Sequence, residues 1–262
     1  IPLRLVGSEM CIRDRLPGII LAFILYSFSE GLNNIIGIEL LGYEKSPIST
    51  AMIAIILGLI LGNFFNIRTG FLIGLDFTQK YILKLGIICL GIQLKPFEFI
   101  KFGSIAIPLI IVCIISVLIV IKILIQKFKI SRGMSYLIAI GSTVCGTTAI
   151  IATAPVINAK KGEVAYAVAN MTLFGILAML IYPYFANYYF GGDPLFAGLF
   201  LGTAIHETSQ VAAAGLIYDQ QFSSPETQNI ATVTKLIRNT FLVIMIPLFA
   251  YFYNRGQNHY KK

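Results

Sequence analysis

The chain is predicted to be an all-α integral membrane protein of about eight transmembrane helices, two of them discontinuous or interrupted by polar residues. Three observations predict this. Only 12% of the 262 residues are charged while 57% are apolar, against about 25% charged in an ordinary soluble domain. Mean hydropathy is +0.82. Four uncharged runs, Ser46–Ile67, Phe102–Ile121, Gly133–Ala159 and Val164–Gly192, are each long enough to cross a hydrocarbon core of about 30 Å. A β-barrel would show segments of about ten residues with alternating polarity, and none is present.

In chain order, the spans fall at roughly 17–36, 48–66, 79–95, 104–125, 134–157, 164–187, 195–217 and 231–253. The first, third and last two each need a polar or charged residue inside. The third is short and carries Gly86 and Gly91, the pattern of broken or re-entrant transporter helices. Residues 1–15, with "GSEMCIRDR", have charge but no periodicity and resemble translated adapter sequence, so the domain is read as 16–262.

The net charge of +8 lies in loops and the tail and does not form a nucleic-acid face. Lys122, Lys127, Lys129 and Arg132 share one loop region, and Arg255, Lys261 and Lys262 form the tail. Counting these seven with Arg68 and Lys80 places nine basic residues on one side. Lys45, Lys95, Lys101, Lys160 and Lys161 stay on the other, which puts the visible ends at the cytoplasm. The four cysteines have no paired spacing and read as small apolar filler. The partners implied are the bilayer and a small solute, with a homo-oligomer compatible. No cofactor motif is present.

Two segments depart from plain lipid-facing helix: Gly141–Ala154, "GSTVCGTTAIIATA", and Gly202–Gly215, "GTAIHETSQVAAAG". At an offset of 61 residues Gly141 meets Gly202, Thr147 meets Thr208 and Ala152 meets Ala213, with four similar pairs between. This reads as an internal repeat. With one span between the copies, two simple crossings would run in the same direction. An inverted repeat requires an odd number of crossings between the starting points, or one copy to be re-entrant, and the sequence does not choose between them.

Small residues in both segments suit close helix packing. His206, Glu207 and Gln210 need another reason, because a carboxylate at membrane depth costs roughly 3 kcal/mol and usually faces a cavity or a partner. On a continuous helix Thr203, Glu207 and Gln210 share a face. If the segment is unwound, its backbone amides and carbonyls become ligands as well. Lys235 and Arg238 in "TKLIRNT" share a face at i, i+3. They either neutralise Glu207, hold an anionic substrate through the planar guanidinium, or snorkel to the interface. His206 and Glu207 can carry a proton between them once desolvated. Ser142, Thr147, Thr148 and Asn170 are further binding candidates, with Gln93 and Asn33–Asn34 weaker ones. Asn33 and its like read first as interhelical hydrogen bonds.

Enzymatic readings fail on motif. "HETSQ" is not H-E-x-x-H, so no metal site follows. "FGGD" lacks the first glycine of an intramembrane aspartyl-protease motif, and no G-x-S-x-G elbow occurs.

"GSTVCGTTAIIATAPVINAKKGEVAYAVANMTLFGILAMLIYP", followed by "GTAIHETSQVAAAG" and "ATVTKLIRNT", resembles the YeiH-like family. These are bacterial inner-membrane proteins of long-uncharacterised function that usually carry a sulfate-exporter label. The likeness runs from about Leu16 to Tyr253 and includes "LPGII" and "LGIICLGIQL". It implies a fold like that of bile-acid symporters and sodium/proton antiporters, with inverted repeats and crossed discontinuous helices. It also implies further spans beyond this chain. Gln93 stands where many relatives have arginine. The expected function is export of a small, sulfate-like inorganic anion coupled to protons. Alternatives are a sodium- or proton-coupled organic-acid symporter, with Glu207, Gln210, Thr147 and Thr148 as ion ligands, and a non-transporting scaffold.

Overall fold

A computed structural model describes residues 12–35, 49–65, 67–82, 85–86, 88–89, 96–128, 130–224 and 226–260. Among these residues the regular structure is helical throughout, in two compact units, Ile1–Leu90 and Gly91–Lys262.

The first unit holds α1 (Ile12–Asn34), α2 (Thr50–Phe64) and α3 (Thr69–Phe77), with a π-helical turn at Thr78–Ile82. Helices α1 and α3 cross at Gly18 and Gly74. A Cβ on Gly18 would meet the backbone of Phe71, Gly74 and Leu75, and one on Gly74 would meet Arg15 and Gly18. With no side chain at either position, the two backbones touch. Asn33 donates to Thr50 Oγ1 at 3.0 Å, the interhelical bond expected of it. Much of the predicted span 79–95, Gln93 included, lies outside the described residues.

The second unit begins with α4 (Pro96–Phe128) and continues with α5 (Arg132–Thr143) and α6 (Thr147–Thr153). Helix α7 (Lys161–Phe190) follows, then α8 (Pro194–Ala204), α9 (Thr208–Phe222), α10 (Thr227–Thr240) and α11 (Leu242–Tyr260). Among the described residues, three helices are long and apolar enough to cross a membrane: Arg15–Asn34, Phe102–Val120 and Lys161–Phe190. The bent pair α10–α11, at 43°, makes a fourth if taken as one span.

The predicted spans 134–157 and 195–217 are not single crossings, which corrects the simple reading of their length. Each breaks at three residues and folds back on itself. In the first, Gly141 of α5 lies against Ile150 of α6, and Leu137, Ile150 and Ile157 share one core cluster with Ala167. The Ser131 hydroxyl, at the start of α5, donates to Glu163 at 2.6 Å, and Glu163 also accepts from Lys160 N at 3.2 Å. The segment therefore starts and ends at the beginning of α7.

In the second, α10 lies between the two legs. Gly198 of α8 packs on Thr227 and Ile230, and Gly202 packs on Ala231 and Thr234, so α8 runs parallel to α10. Gly215 packs on Gln228, while Thr208 accepts from Asn239, so α9 runs antiparallel to it. This hairpin starts at the far end of α7. The α7 C-terminus closes on Gly191 and Gly192 with φ of +61° and +83°, where glycine avoids the Cβ penalty. Asp193 then caps α8 by accepting from Leu195 N at 2.8 Å, with Pro194 in the first turn.

Helix α7 has 30 residues, about 45 Å at 1.5 Å per residue, and separates the two starting points. The hairpins thus come from opposite ends of one long helix. Their first legs, 12 and 11 residues, are about 17–18 Å long. That is enough to bring the tips to the middle of α7, where Gln210 sits on Gly175 and donates to Thr172 O at 3.4 Å. The two hairpins therefore enter from opposite ends of α7 and each turns back.

Exposed large apolar residues on α7, Leu173 and Phe185, suit its placement in lipid. The core behind it is built from Ala106, Ile110, Ile140, Val144, Ala149, Leu199 and Ile230.

Candidate functional site at the hairpin tips

The two tips break in the same register. Helix α5 ends at Thr143 and α8 at Ala204; α6 begins at Thr147 and α9 at Thr208. Both pairs are 61 residues apart (204 − 143 and 208 − 147), the offset of the sequence repeat. The turns themselves differ. Gly146 has φ +53° and ψ −123°, a conformation that L side chains rarely adopt. Its counterpart Glu207 is extended at φ −100° and ψ 136°. A Cβ on Gly146 would lie 3.5 Å from His206, so the tips are in contact.

A helix that ends inside an apolar bundle leaves carbonyls without amide partners. Here α10 supplies the donors. Lys235 is fully buried, and its ammonium donates to Val144 O at 2.8 Å, to Ile205 O at 3.3 Å and to His206 O. Arg238 is 2% exposed; it donates to Thr143 O at 2.9 Å and to the carbonyls of Ser142 and Thr203. Val144 and Ile205 are a repeat-matched pair, and so are Ser142 and Thr203. Each cation therefore bridges equivalent carbonyls of the two hairpins. All three ammonium hydrogens of Lys235 have an acceptor. Positive charge at helix C-termini also complements the macrodipole.

Neither cation donates to Glu207 in these bonds. Glu207, the N-cap residue of α9, instead accepts from Thr147 Oγ1 on the opposite tip at 2.9 Å. Thr208 Oγ1 lies 3.8 Å from Cys145 Sγ and accepts from Asn239 Nδ2 at 3.1 Å. The tips are thus tied by two side-chain contacts as well as by the two cations.

The remaining candidates separate into those at the tips and those elsewhere. His206 lines a cavity of about 250 Å³ together with Phe174, Leu177, Ala178, Ile181, Tyr182 and Ala204. Its Nδ1 is buried and has no hydrogen-bond partner among the described residues. Gln210 is 6% exposed, and its Oε1 likewise lacks a partner among the described residues. Ser142 contributes its carbonyl. Thr203 does so too, while its hydroxyl bonds back to Leu199 O at 2.7 Å. The expected face of Thr203, Glu207 and Gln210 does not exist, because the break at 205–207 puts Thr203 on α8 and Gln210 on α9. Thr148 is exposed on α6. Asn170 donates to Tyr166 O at 2.9 Å, one turn back on its own helix, and is not brought to the tips.

Sequence reasoning misses Asn239, Thr208 and Cys145. Asn239 directly follows Arg238, and Thr208 sits at a repeat-matched position with Thr147, so both carry a signal in the chain. Among the described residues no group of three or more His, Cys, Asp or Glu side chains could hold a metal ion.

Residues 17–262 match the model of the family described as "Conserved hypothetical protein 698". A UPF0324 membrane protein of Streptococcus agalactiae is 38% identical over 248 residues, covering 95% of this chain and 70% of that protein. One from Fusobacterium nucleatum is 35% identical over 242 residues, 92% of this chain and 67% of that protein. One from Streptococcus mutans is 36% identical over 213 residues, 81% of this chain; there the match spans 62% of the relative's length. No solved structure matches the chain. The chain belongs to the UPF0324 membrane protein family, the same family as the YeiH-like proteins that its motifs resemble.

Proposed function

We propose that this UPF0324 protein is a secondary transporter of a small inorganic anion of the sulfate class, coupled to protons and working at the inner membrane. The observation that carries the reading is the meeting of two opposed hairpin tips halfway along α7, with polar groups gathered there. Discontinuous helices that meet near the midplane are how secondary transporters present backbone groups to a solute.

Charge supports an anion. Lys235 and Arg238 cover the carbonyl ends of α5 and α8, so the negative ends of these helices are compensated. The amides at the start of α9 then face the same centre with two cations nearby. In this reading the substrate lies on the amide side of the tips, next to the His206 cavity. The two cations set the field without binding the solute directly. Glu207 and His206 carry the coupling proton, and a dianion is tolerated when Glu207 is protonated.

The oxygens of Glu207 and Thr147, 2.9 Å apart, favour a second reading in which sodium couples uptake of an organic acid. The cavity at His206 weighs against a non-transporting scaffold. The deciding experiment uses proteoliposomes containing this protein. Efflux of labelled sulfate is followed under an imposed pH gradient, then with sodium replacing it. Gradient-dependent efflux that is lost in Glu207→Gln supports the anion carrier. Equal leakage with and without the gradient in wild type and variant overturns it, and sodium-driven uptake of a carboxylate would install the second reading.

A further inference from the structure

The re-entry of the first hairpin changes which charges share an end of the second unit. Eight simple crossings would put Lys160 and Lys161 on the opposite side from Arg132. Instead Ser131, at the start of α5, bonds Glu163 of α7 at 2.6 Å, so Arg132, Lys160 and Lys161 stand at one end. Arg132 also donates to Tyr253 O at 2.9 Å and to Phe252 O at 3.2 Å. Its guanidinium lies over the rings of Tyr136 and Tyr253, at 5.6 and 5.2 Å. These contacts bring the second half of α11, and Arg255 with it, to the same end. Lys127, in the last turn of α4, directly precedes the turn that leads to Arg132.

The other end of α7 carries the opposite charge. It joins the turn at 191–193 to the passage from α9 to α10, because Tyr218 donates to Asn187 Oδ1 at 3.3 Å. Asp219 accepts from Gln228 N at 3.2 Å and so ties the end of α9 to the start of α10. Asp193, Asp219 and Glu226 lie here, and the sequence has no lysine or arginine from Gly162 to Thr234.

We infer that the basic end is the cytoplasmic face, docked on the anionic headgroups of the inner leaflet, and that the second hairpin, with His206 and Glu207, enters from the outer face. Orientation follows the lysines and arginines of short loops near the spans, while carboxylates count for little. Lys127, Arg132, Lys160, Lys161 and Arg255 therefore outweigh two far turns that hold no cation. Lys127, Lys160 and Lys161 are exposed, free to meet headgroup phosphates in the negative surface potential of the cytoplasmic leaflet. Leu177, Ala178, Ile181 and Tyr182, which line the His206 cavity, lie past the midpoint of α7. The cavity thus falls in the outer half of the membrane. This orientation holds whether or not the protein transports a solute.

Single cysteines test the assignment in a chain with Cys11, Cys89 and Cys113 replaced by serine; Cys145, 9% exposed, is kept. Gly162→Cys puts a thiol in the first turn of α7, with open space around the added atom. Asp193→Cys and Glu226→Cys mark the other end, where both residues are exposed. Each variant is expressed in a bacterial inner membrane, and spheroplasts are treated with a membrane-impermeant maleimide before and after permeabilisation. The parent chain serves as the blank. Positions 193 and 226 are expected to react in intact spheroplasts, and position 162 only after permeabilisation. Reaction at 162 in intact spheroplasts overturns the proposal. Joined by reaction at 226, it means that 134–157 crosses the membrane as one span; with 226 unreactive, it means that the unit is inverted.

A second measurement needs no added cysteine. Thermal midpoints are taken for the unsubstituted protein and for Lys127→Gln combined with Lys161→Gln, in phosphatidylcholine nanodiscs with and without phosphatidylglycerol. The anionic lipid is expected to raise the midpoint of the unsubstituted protein. That rise should shrink in the double variant and in high salt, which screens exposed charge. An equal rise in both proteins, or none in either, overturns the docking of this end on anionic headgroups.

Discussion

Glu207 on one hairpin tip accepts a hydrogen bond from Thr147 on the other at 2.9 Å. These residues start the second legs of the two hairpins: Thr147 is the first residue of α6, and Glu207 is the N-cap of α9. Glu207→Gln keeps an acceptor for the hydroxyl and removes the charge. The expected result is a stable protein whose coupled transport is lost. Thr147→Val removes the bond and leaves the carboxylate, and it should lower stability by about 1–2 kcal/mol. Thermal unfolding in detergent and proteoliposome flux, measured on both variants, separate the two effects. A Glu207→Gln protein with unchanged gradient dependence would remove Glu207 from coupling.

Lys235→Ala should be among the most damaging single changes in the chain. It leaves the carbonyls of Val144, Ile205 and His206 without their donor in a buried setting. Losing several charge-assisted bonds at once costs roughly 3–5 kcal/mol. A sharp loss of folded yield or of the thermal midpoint is expected. Leu236→Ala, next to it but 38% exposed, serves as the mild control.

The turn in the first hairpin depends on one glycine. Gly146 has φ +53° and ψ −123°, and Gly146→Ala should destabilise by about 1–3 kcal/mol because L residues rarely enter this backbone region. The 3.5 Å approach to His206 leaves ordinary contact distance, so the cost is conformational and not steric crowding. Gly162→Ala, in the first turn of α7 with nothing within 4 Å of the added atom, should be neutral or stabilising by up to about 1 kcal/mol. Paired unfolding curves in detergent check both signs.

In the first unit, Gly18→Leu and Gly74→Leu should each separate α1 from α3, since the new side chain would occupy the space of the opposing backbone. Loss of protease resistance within Arg15–Phe77 is the expected readout. Gly58→Leu, on α2 with open space around it, should not reproduce it.

Asp193→Ala removes the cap of α8, leaving the amides of Leu195 and Phe196 without their acceptor. A loss of about 1 kcal/mol is expected. Asp193→Asn should recover most of it, because the cap needs an oxygen more than a charge. Thermal midpoints of the three proteins decide this.

Much of the site is legible in the amino-acid sequence. "GTAIHETSQ" stands out because a histidine and a carboxylate in an apolar run demand a partner or a cavity, and the fold supplies both. The 61-residue offset is visible as a similarity of small residues, and it is the register of the two helix breaks. Charge alone pairs Lys235 and Arg238 with a carboxylate or a solute. It does not foresee the competing acceptors, because backbone carbonyls carry no letter in the sequence. The face of Thr203, Glu207 and Gln210 fails for a related reason: it assumes a helix through 205–207.

What the sequence determined by itself is the solvent and the repertoire: helices in lipid, a repeated polar segment, and a pair of cations one turn apart. Composition and periodicity are local properties, and they report which environment each residue tolerates. Only the tertiary structure decided that each polar segment turns back, that the hairpins oppose each other across α7, and that Lys235 reaches Val144, 91 positions away. Those outcomes rest on the positive φ of Gly146 in one turn and of Gly191 and Gly192 after α7, and on orphaned carbonyls that must find a donor once water is excluded. Such a requirement is met in space, by whichever donor the packing brings within about 3 Å.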